Sequence, residues 1–220
     1  MLGESTFRDR AHAGRELGAR LLHLAGRDDV TVLALPRGGV PVAYEVARAL
    51  GAPLDLLLAR KVGVPGHPEL AMGAIAGGGV RVLNASVLQA VGVPPEAVEE
   101  AVRREEVELL RREESYGGSR PRHPVSGRVV VVVDDGLATG ATMRAAVTAL
   151  RAQLAGRILV AVPVGPPETC QEMAREADEV VCVRTPRSFH AVGQWYDDFS
   201  QTTDDEIRAL LALEEDDHGE

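Results

Sequence analysis

The sequence predicts an α/β fold built on a doubly wound, mainly parallel sheet. Two patterns carry this prediction: short apolar runs alternate with helical periodicities along the chain, and the junctions between them are rich in glycine. A third is the stretch Val129–Val133, five β-branched residues in succession, which suits a strand buried on both faces as parallel sheets require. That strand ends abruptly at Asp134-Asp135. Beyond the pair, the small residues Gly136, Ala138, Thr139, Gly140, Ala141 and Thr142 lead into a helical pattern at Met143, Val147 and Leu150.

In chain order, Ser5 to Ala25 reads as a helix whose apolar stripe is Leu17, Leu21 and Leu24. Thr31 to Leu35 is a buried strand, followed by Pro36-Arg37-Gly38-Gly39 and a helix from Val40 to Leu50. Leu54 to Ala59 is the next strand, ending in Arg60-Lys61. The following V-G-V-P-G-H-P-E-L-A-M-G, with His67 and Glu69, is too rich in Gly and Pro for regular structure and reads as a loop. Ala71 to Ala76 and Val80 to Leu83 are strands around a Gly77-Gly78-Gly79 turn. Pro94-Pro95 introduces a charged helix, Glu96 to Ser115, whose Glu and Arg residues form a solvated face. The loop Gly117 to Gly127 returns the chain to the central strand. Arg157 to Pro163 and Glu179 to Val183 are further strands, with a helix from Pro167 to Ala177 between them. Thr203-Asp204-Asp205-Glu206 is a capping-box start for a helix from Ile207 to Leu213, and Glu214 to Glu220 is an acidic tail.

The segment after residue 183 concentrates aromatic residues in a chain where they total only 3%: Phe189, Trp195, Tyr196 and Phe199. They form either a stacking pocket for a planar ligand or an anchor of the C-terminal segment against the sheet. Lys61 is the only lysine, so a compact ammonium stands where arginine is otherwise used throughout.

The turn after Val133 aims backbone N–H groups and two hydroxyls at a helix N-terminus, a setting that favours a phosphate dianion. Two carboxylates beside it suit ribose hydroxyls or a hydrated Mg²⁺. The glycine turn at Arg37-Gly38 offers open amides and one guanidinium for a diphosphate. The tract V-V-V-V-V-D-D-G-L-A-T-G-A-T-M also resembles the phosphoribosyl-pyrophosphate (PRPP) motif of the type I phosphoribosyltransferases. With its P-R-G-G-V and R-K-V-G-V-P-G-H-P-E tracts, the chain looks most like a bacterial group of that family whose acceptor is unassigned.

The resemblance implies a five-stranded parallel core, about residues 30–183, and a small hood from the N-terminus and residues 184–202, all in one domain over 1–220. It implies transfer of 5-phosphoribosyl from Mg-PRPP to a nitrogenous, nucleobase-like acceptor, with release of pyrophosphate. By the same resemblance Asp134 and Asp135 hold the ribose hydroxyls and Mg²⁺ through water. Ala138, Thr139, Gly140, Ala141 and Thr142 hold the 5-phosphate, and Arg37, Gly38, Arg60 and Lys61 surround the pyrophosphate. The pyrophosphate loop of such proteins often carries a cis peptide. Ala138 stands where hypoxanthine-guanine members carry an aspartate, so proton transfer falls to another group, and Glu69 in the loop is the acid/base candidate. Lys61, Arg60, Glu69 and Asp135 are the expected catalytic set; Phe189, Trp195 and Tyr196 are the expected acceptor contacts.

The formal net charge of −9 argues against nucleic acid or a membrane surface as the main partner. With no apolar run long enough to span a bilayer and no signal-peptide core, the expected location is the cytoplasm. Cys170 and Cys182 lack metal-ligand spacing and are expected as two thiols. Family members are often homodimers. Two further function classes fit the same pocket: a PRPP-sensing regulator without turnover, and a hydrolase or phosphorylase of ribose phosphates.

Overall fold

A computed structural model of the chain describes residues 5–116 and 123–218, with side chains to residue 214. Five parallel strands form the central sheet in the order β2-β1-β6-β7-β8. They are β1 (Val30–Ala34), β2 (Leu54–Leu56), β6 (Val129–Val133), β7 (Arg157–Val164) and β8 (Glu179–Arg184). The valine run is the middle strand, in register with β1 (Val30 opposite Val129) and with β7 (Val129 opposite Arg157), and all five of its residues are buried. Its side chains alternate between two cores. Val129, Val131 and Val133 join residues of α1 (Arg10–Arg20) and α2 (Gly39–Leu50) on one face. Val130 and Val132 join residues of α5 (Ala141–Ala152) on the other. This is the doubly wound arrangement the strand-helix alternation predicts.

The chain leaves β1 toward β2 on one side and later adds β6, β7 and β8 on the other. The strand order therefore reverses between β1 and β6, and open α/β sheets bind ligands at the carboxyl ends of the strands where such a reversal opens a crevice. The turns after β1 and β6, at Pro36–Gly39 and Asp134–Gly140, face each other there.

Three readings of the sequence are corrected. The strand expected over Leu54–Ala59 stops at Leu56; β3 (Ala59–Val64) then begins a second sheet, so Arg60 and Lys61 lie on that strand. The expected loop is instead an antiparallel hairpin of β3 with β4 (His67–Ala76), and β4 continues into β5 (Val80–Leu83). Its glycines and prolines misled because they serve the pairing. Register shifts flank Gly63, and a Cβ built on Gly63 would stand 2.6 Å from the Pro68 carbonyl oxygen, so close approach of two backbones selects glycine there. The N-terminal helix is shorter than expected. It starts after Asp9, whose carboxylate accepts the His12 N–H at 2.6 Å, and residues 22–24 form a separate 3₁₀ turn.

A short helix α3 (Ala85–Val91), capped by Asn84, is not predicted from the sequence and precedes α4 (Pro95–Ser115). The other elements differ from expectation in extent. Helix α6 (Pro167–Met173) ends before Ala177. Helix α7 (Asp204–His218) opens with the Thr203–Glu206 capping box and extends through much of the expected tail, of which residues 219–220 lie outside the described residues. Most of the expected loop over Gly117–Gly127, residues 117–122, also lies outside them. Among the described residues no helix is long and apolar enough to cross a membrane, and Cys170 and Cys182 are free.

Candidate active site

The end of β6 delivers Asp134 and Asp135 into the crevice. Asp134 Oδ1 accepts the backbone N–H of Asp135 at 2.8 Å. Asp135 Oδ2 accepts Arg10 Nε at 2.9 Å, with the two side chains only 15% and 11% exposed. Arg10 is held in turn: its Nη1 donates to the Ser200 carbonyl at 2.6 Å, and its guanidinium lies 4.0 Å from the Phe199 ring centre. Burial, reinforced by the neighbouring charge of Asp135, pushes the Asp134 carboxyl well above the usual carboxylate range. Burial also raises Asp135, and Arg10 opposes that rise. One guanidinium thus offsets the repulsion of two adjacent acids and leaves Asp135 Oδ1 without the ion pair.

The turn after β1 packs directly on this pair. The Pro36–Arg37 peptide is cis. A Cβ built on Gly38 would overlap Asp135 Oδ2 and stand 2.6 Å from its Cγ; one on Gly39 would stand 2.7 Å from the Val133 carbonyl oxygen. Glycine at both positions is what lets the two turns touch. The Arg37 side chain points toward α7, with Nε 3.1 Å from Asp204 Oδ1, and Tyr116 and Asp204 together raise its pKa.

The third wall is the turn from Ala138 to Thr142. Gly140 adopts φ +73° and hands the chain to α5 with no side chain of its own to cap it, and the Ala141 N–H reaches Thr139 Oγ1 only at a long 3.5 Å. Thr169 Oγ1 donates to the Ala138 carbonyl at 3.0 Å and braces the turn from α6. A cavity of about 690 Å³ lies alongside, lined by Pro36, Arg60, Lys61, Glu69, Ala141 and Thr142 together with part of α4. Arg60 Nε donates to Glu105 Oε2 at 2.6 Å, and Lys61 Nζ to Glu69 Oε2 at 2.9 Å. The Glu69 side chain is 92% exposed.

The aromatic segment has an anchoring role. Tyr196 pairs with Phe7 in a β-bridge, packs between Phe7 (5.4 Å) and Phe199 (5.1 Å), and is 5% exposed. Its hydroxyl donates to the Asp135 carbonyl at 2.6 Å, and burial raises its pKa. A ring so enclosed has no open face for stacking, which corrects the expectation of Tyr196 as an acceptor contact. Phe189 and Trp195 pack against the same cluster, and none of the three lines the 690 Å³ cavity.

The structure therefore brings Asp134, Asp135, Gly38 and the Ala138–Thr142 turn together, with Arg60, Lys61 and Glu69 across the adjoining cavity. Arg37 is turned aside. Sequence reading missed Arg10 and Glu105, which lie in helices with several other charged residues and carry no motif. Among the described residues there is no cluster of three or more His, Cys, Asp or Glu side chains able to hold a metal ion by itself. The acidic pair still fits Mg²⁺, which keeps several waters and shares oxygens of a phosphate ligand rather than requiring an all-protein cage.

Residues 8–199 match the family model described as a phosphoribosyl transferase domain. In Mycobacterium tuberculosis H37Rv the protein named "Putative phosphoribosyl transferase Rv0571c" is 52% identical over 205 residues, 93% of this chain and 46% of that protein. The chain thus spans about half the length of the curated relatives it matches. The crystal structure of TT1426 from Thermus thermophilus is similar with a TM-score of 0.87 and 44% identity, covering 94% of this chain and 98% of that one. With the acidic pair, the glycine turn and the small-residue helix start meeting at the sheet's switch point, the chain belongs to the phosphoribosyl transferase domain family.

Proposed function

We propose that the protein transfers the 5-phosphoribosyl group of Mg-PRPP to a ring nitrogen of a small heterocyclic acceptor and releases pyrophosphate. The observation that carries this reading is the contact of the two turns: Gly38 lies against the Asp135 carboxylate, with the open start of α5 next to it. A ribose bearing a phosphate at one end and a diphosphate at the other matches that sequence of features.

In this reading the ribose hydroxyls donate to Asp134 and to Asp135 Oδ1, while Arg10 keeps Asp135 fixed through Oδ2. The 5-phosphate takes the amides and hydroxyls of residues 138–142. The diphosphate lies toward Gly38, Arg60 and Lys61. Bound Mg²⁺, held through water by Asp134 and Asp135, supplies charge compensation to the donor's phosphates. The C1–oxygen bond breaks as the nitrogen–C1 bond forms; the electron pair leaves with pyrophosphate, and the ring N–H proton passes to a base. Glu69 is our candidate for that base, supported by its place in the cavity lining beside Lys61, which it meets at 2.9 Å. Catalysis is mainly positioning and electrostatic stabilisation of the leaving diphosphate.

The test is incubation with Mg²⁺, PRPP and a panel of nucleobases, following pyrophosphate release and nucleotide formation. Both together support the transferase. Release without a nucleotide would favour hydrolysis, and tight PRPP binding without turnover on any base would favour a regulator.

A further inference from the structure

The 690 Å³ cavity has a wall that the family motif does not supply, and that wall is α4. Charge density alone makes α4 look like an outward-facing helix. Residues 105, 109 and 112, however, fall on one helical face, and that face lines the cavity with Arg104 at its edge. Leu109 is 5% exposed and anchors it. Glu105 accepts from Arg60 at 2.6 Å, and Arg112 donates to Glu108 at 2.9 Å. Arg104 is exposed and, among the described residues, has no carboxylate partner. The charged groups lining the space are Arg60, Lys61, Arg104 and Arg112 against Glu69 and Glu105. In a chain carrying a net charge of −9, this local surplus of cations selects a polyanion.

We propose that α4 completes a diphosphate-binding wall, with Arg104 and Arg112 gripping the leaving group of a phosphorylated sugar donor opposite Arg60 and Lys61. The inference rests on the donor reading given above. The first turn of α5, at Ala141 and Thr142, lines the same cavity and takes the single phosphate at the sugar's other end. A guanidinium fork matches two phosphate oxygens at once, which an ammonium does not. Glu105 and Glu108 hold Arg60 and Arg112 in place and exchange for the anion when it arrives.

The test is calorimetric titration of the full chain with inorganic pyrophosphate and, separately, with ribose 5-phosphate, both with Mg²⁺. The variants are Arg104→Ala, Arg112→Ala, the double variant, and Arg103→Ala as an exposed neighbour outside the cavity. Arg104→Ala and Arg112→Ala should each weaken pyrophosphate binding by about five- to tenfold, the effect of losing a charge-assisted hydrogen bond near solvent. Ribose 5-phosphate affinity should stay within about twofold, because its phosphate sits at α5. Arg103→Ala should change neither, and Arg104→Lys should recover only part of the loss. If the double variant binds pyrophosphate like the wild type, or Arg103→Ala is as damaging as Arg104→Ala, the wall is refuted while the donor reading stands. If the wild type binds neither ligand, the donor reading falls and the wall with it.

Discussion

Gly38→Ala tests whether the two turns at the switch point act as one site. The added methyl group would overlap Asp135 Oδ2 and lie 2.6 Å from Cγ, so either the carboxylate rotates or the turn retreats. Rotation breaks the Arg10–Asp135 pair. Losing one partner of a buried pair costs about 3–5 kcal/mol. Both side chains here keep some solvent access, 11% and 15%, which brings the expected cost down to about 2 kcal/mol. For a chain of this size that corresponds to a fall in Tm of roughly 4–8 °C. If Asp135 holds the ribose as proposed, affinity for ribose 5-phosphate should fall by at least about tenfold, because the displaced carboxylate loses its charge-assisted hydrogen bond to the sugar. Thermal melts and calorimetry with ribose 5-phosphate read both effects. In an Arg10→Ala background the same substitution should cost less, with a coupling of at least about 1 kcal/mol. Gly51→Ala is the control: at φ +61° with nothing within 4 Å of its Cβ, it should cost about 1 kcal/mol and leave binding unchanged. A Gly38→Ala protein with wild-type melting and wild-type affinity would show that the turns do not share the carboxylate.

Three further outcomes follow from the same geometry. Asp135→Asn should lower PRPP affinity or turnover by at least about tenfold, since a charge-assisted hydrogen bond is worth about 1.5–3 kcal/mol; unchanged kinetics would remove Asp135 from the site. Asp134→Asn should stabilise the fold at neutral pH. Its carboxyl is raised on folding, so ionisation opposes folding: the penalty is absent below about pH 4, where the unfolded carboxyl is protonated, and grows as pH rises toward and through the folded pKa. Melts should converge in acid and favour the variant at pH 7 or above; a variant less stable at neutral pH contradicts this. Chelating Mg²⁺ should suppress pyrophosphate release by at least about tenfold yet leave the melting temperature unchanged, because no described cluster of three His, Cys, Asp or Glu binds an ion without the donor. A melt that shifts with chelator would reveal a resident ion.

The sheet was legible because its signals are local. Five successive valines, Gly38-Gly39 and Asp134-Asp135 each announce their setting within a few residues, and the cores on the two sides of the sheet follow from simple alternation along β6. The β3–β4 hairpin was not, because Gly63 and Pro68 are there for one backbone approaching another, and read singly they say only that the chain turns. The electrostatic partners were hidden for a different reason. Arg10 meets Asp135 across 125 positions and Arg60 meets Glu105 across 45, and neither pairing leaves a period or spacing in the sequence. Arg37 shows the converse: its motif position predicted a ligand contact, while Asp204 and Tyr116, both remote in sequence, set where its side chain points.

The Phe7–Tyr196 bridge and the Arg10–Ser200 bond, the latter joining residues 190 positions apart, stitch the segment leading into α1 and the segment before α7 together beside the acidic doublet. Such long closures are slow to form compared with neighbouring strand and helix contacts. A nascent chain whose sheet is already built should therefore carry two bare adjacent carboxylates until the segment near residue 200 arrives with its seat for Arg10. The doublet's electrostatic setting is therefore complete only once the segments near residues 10 and 200 have met.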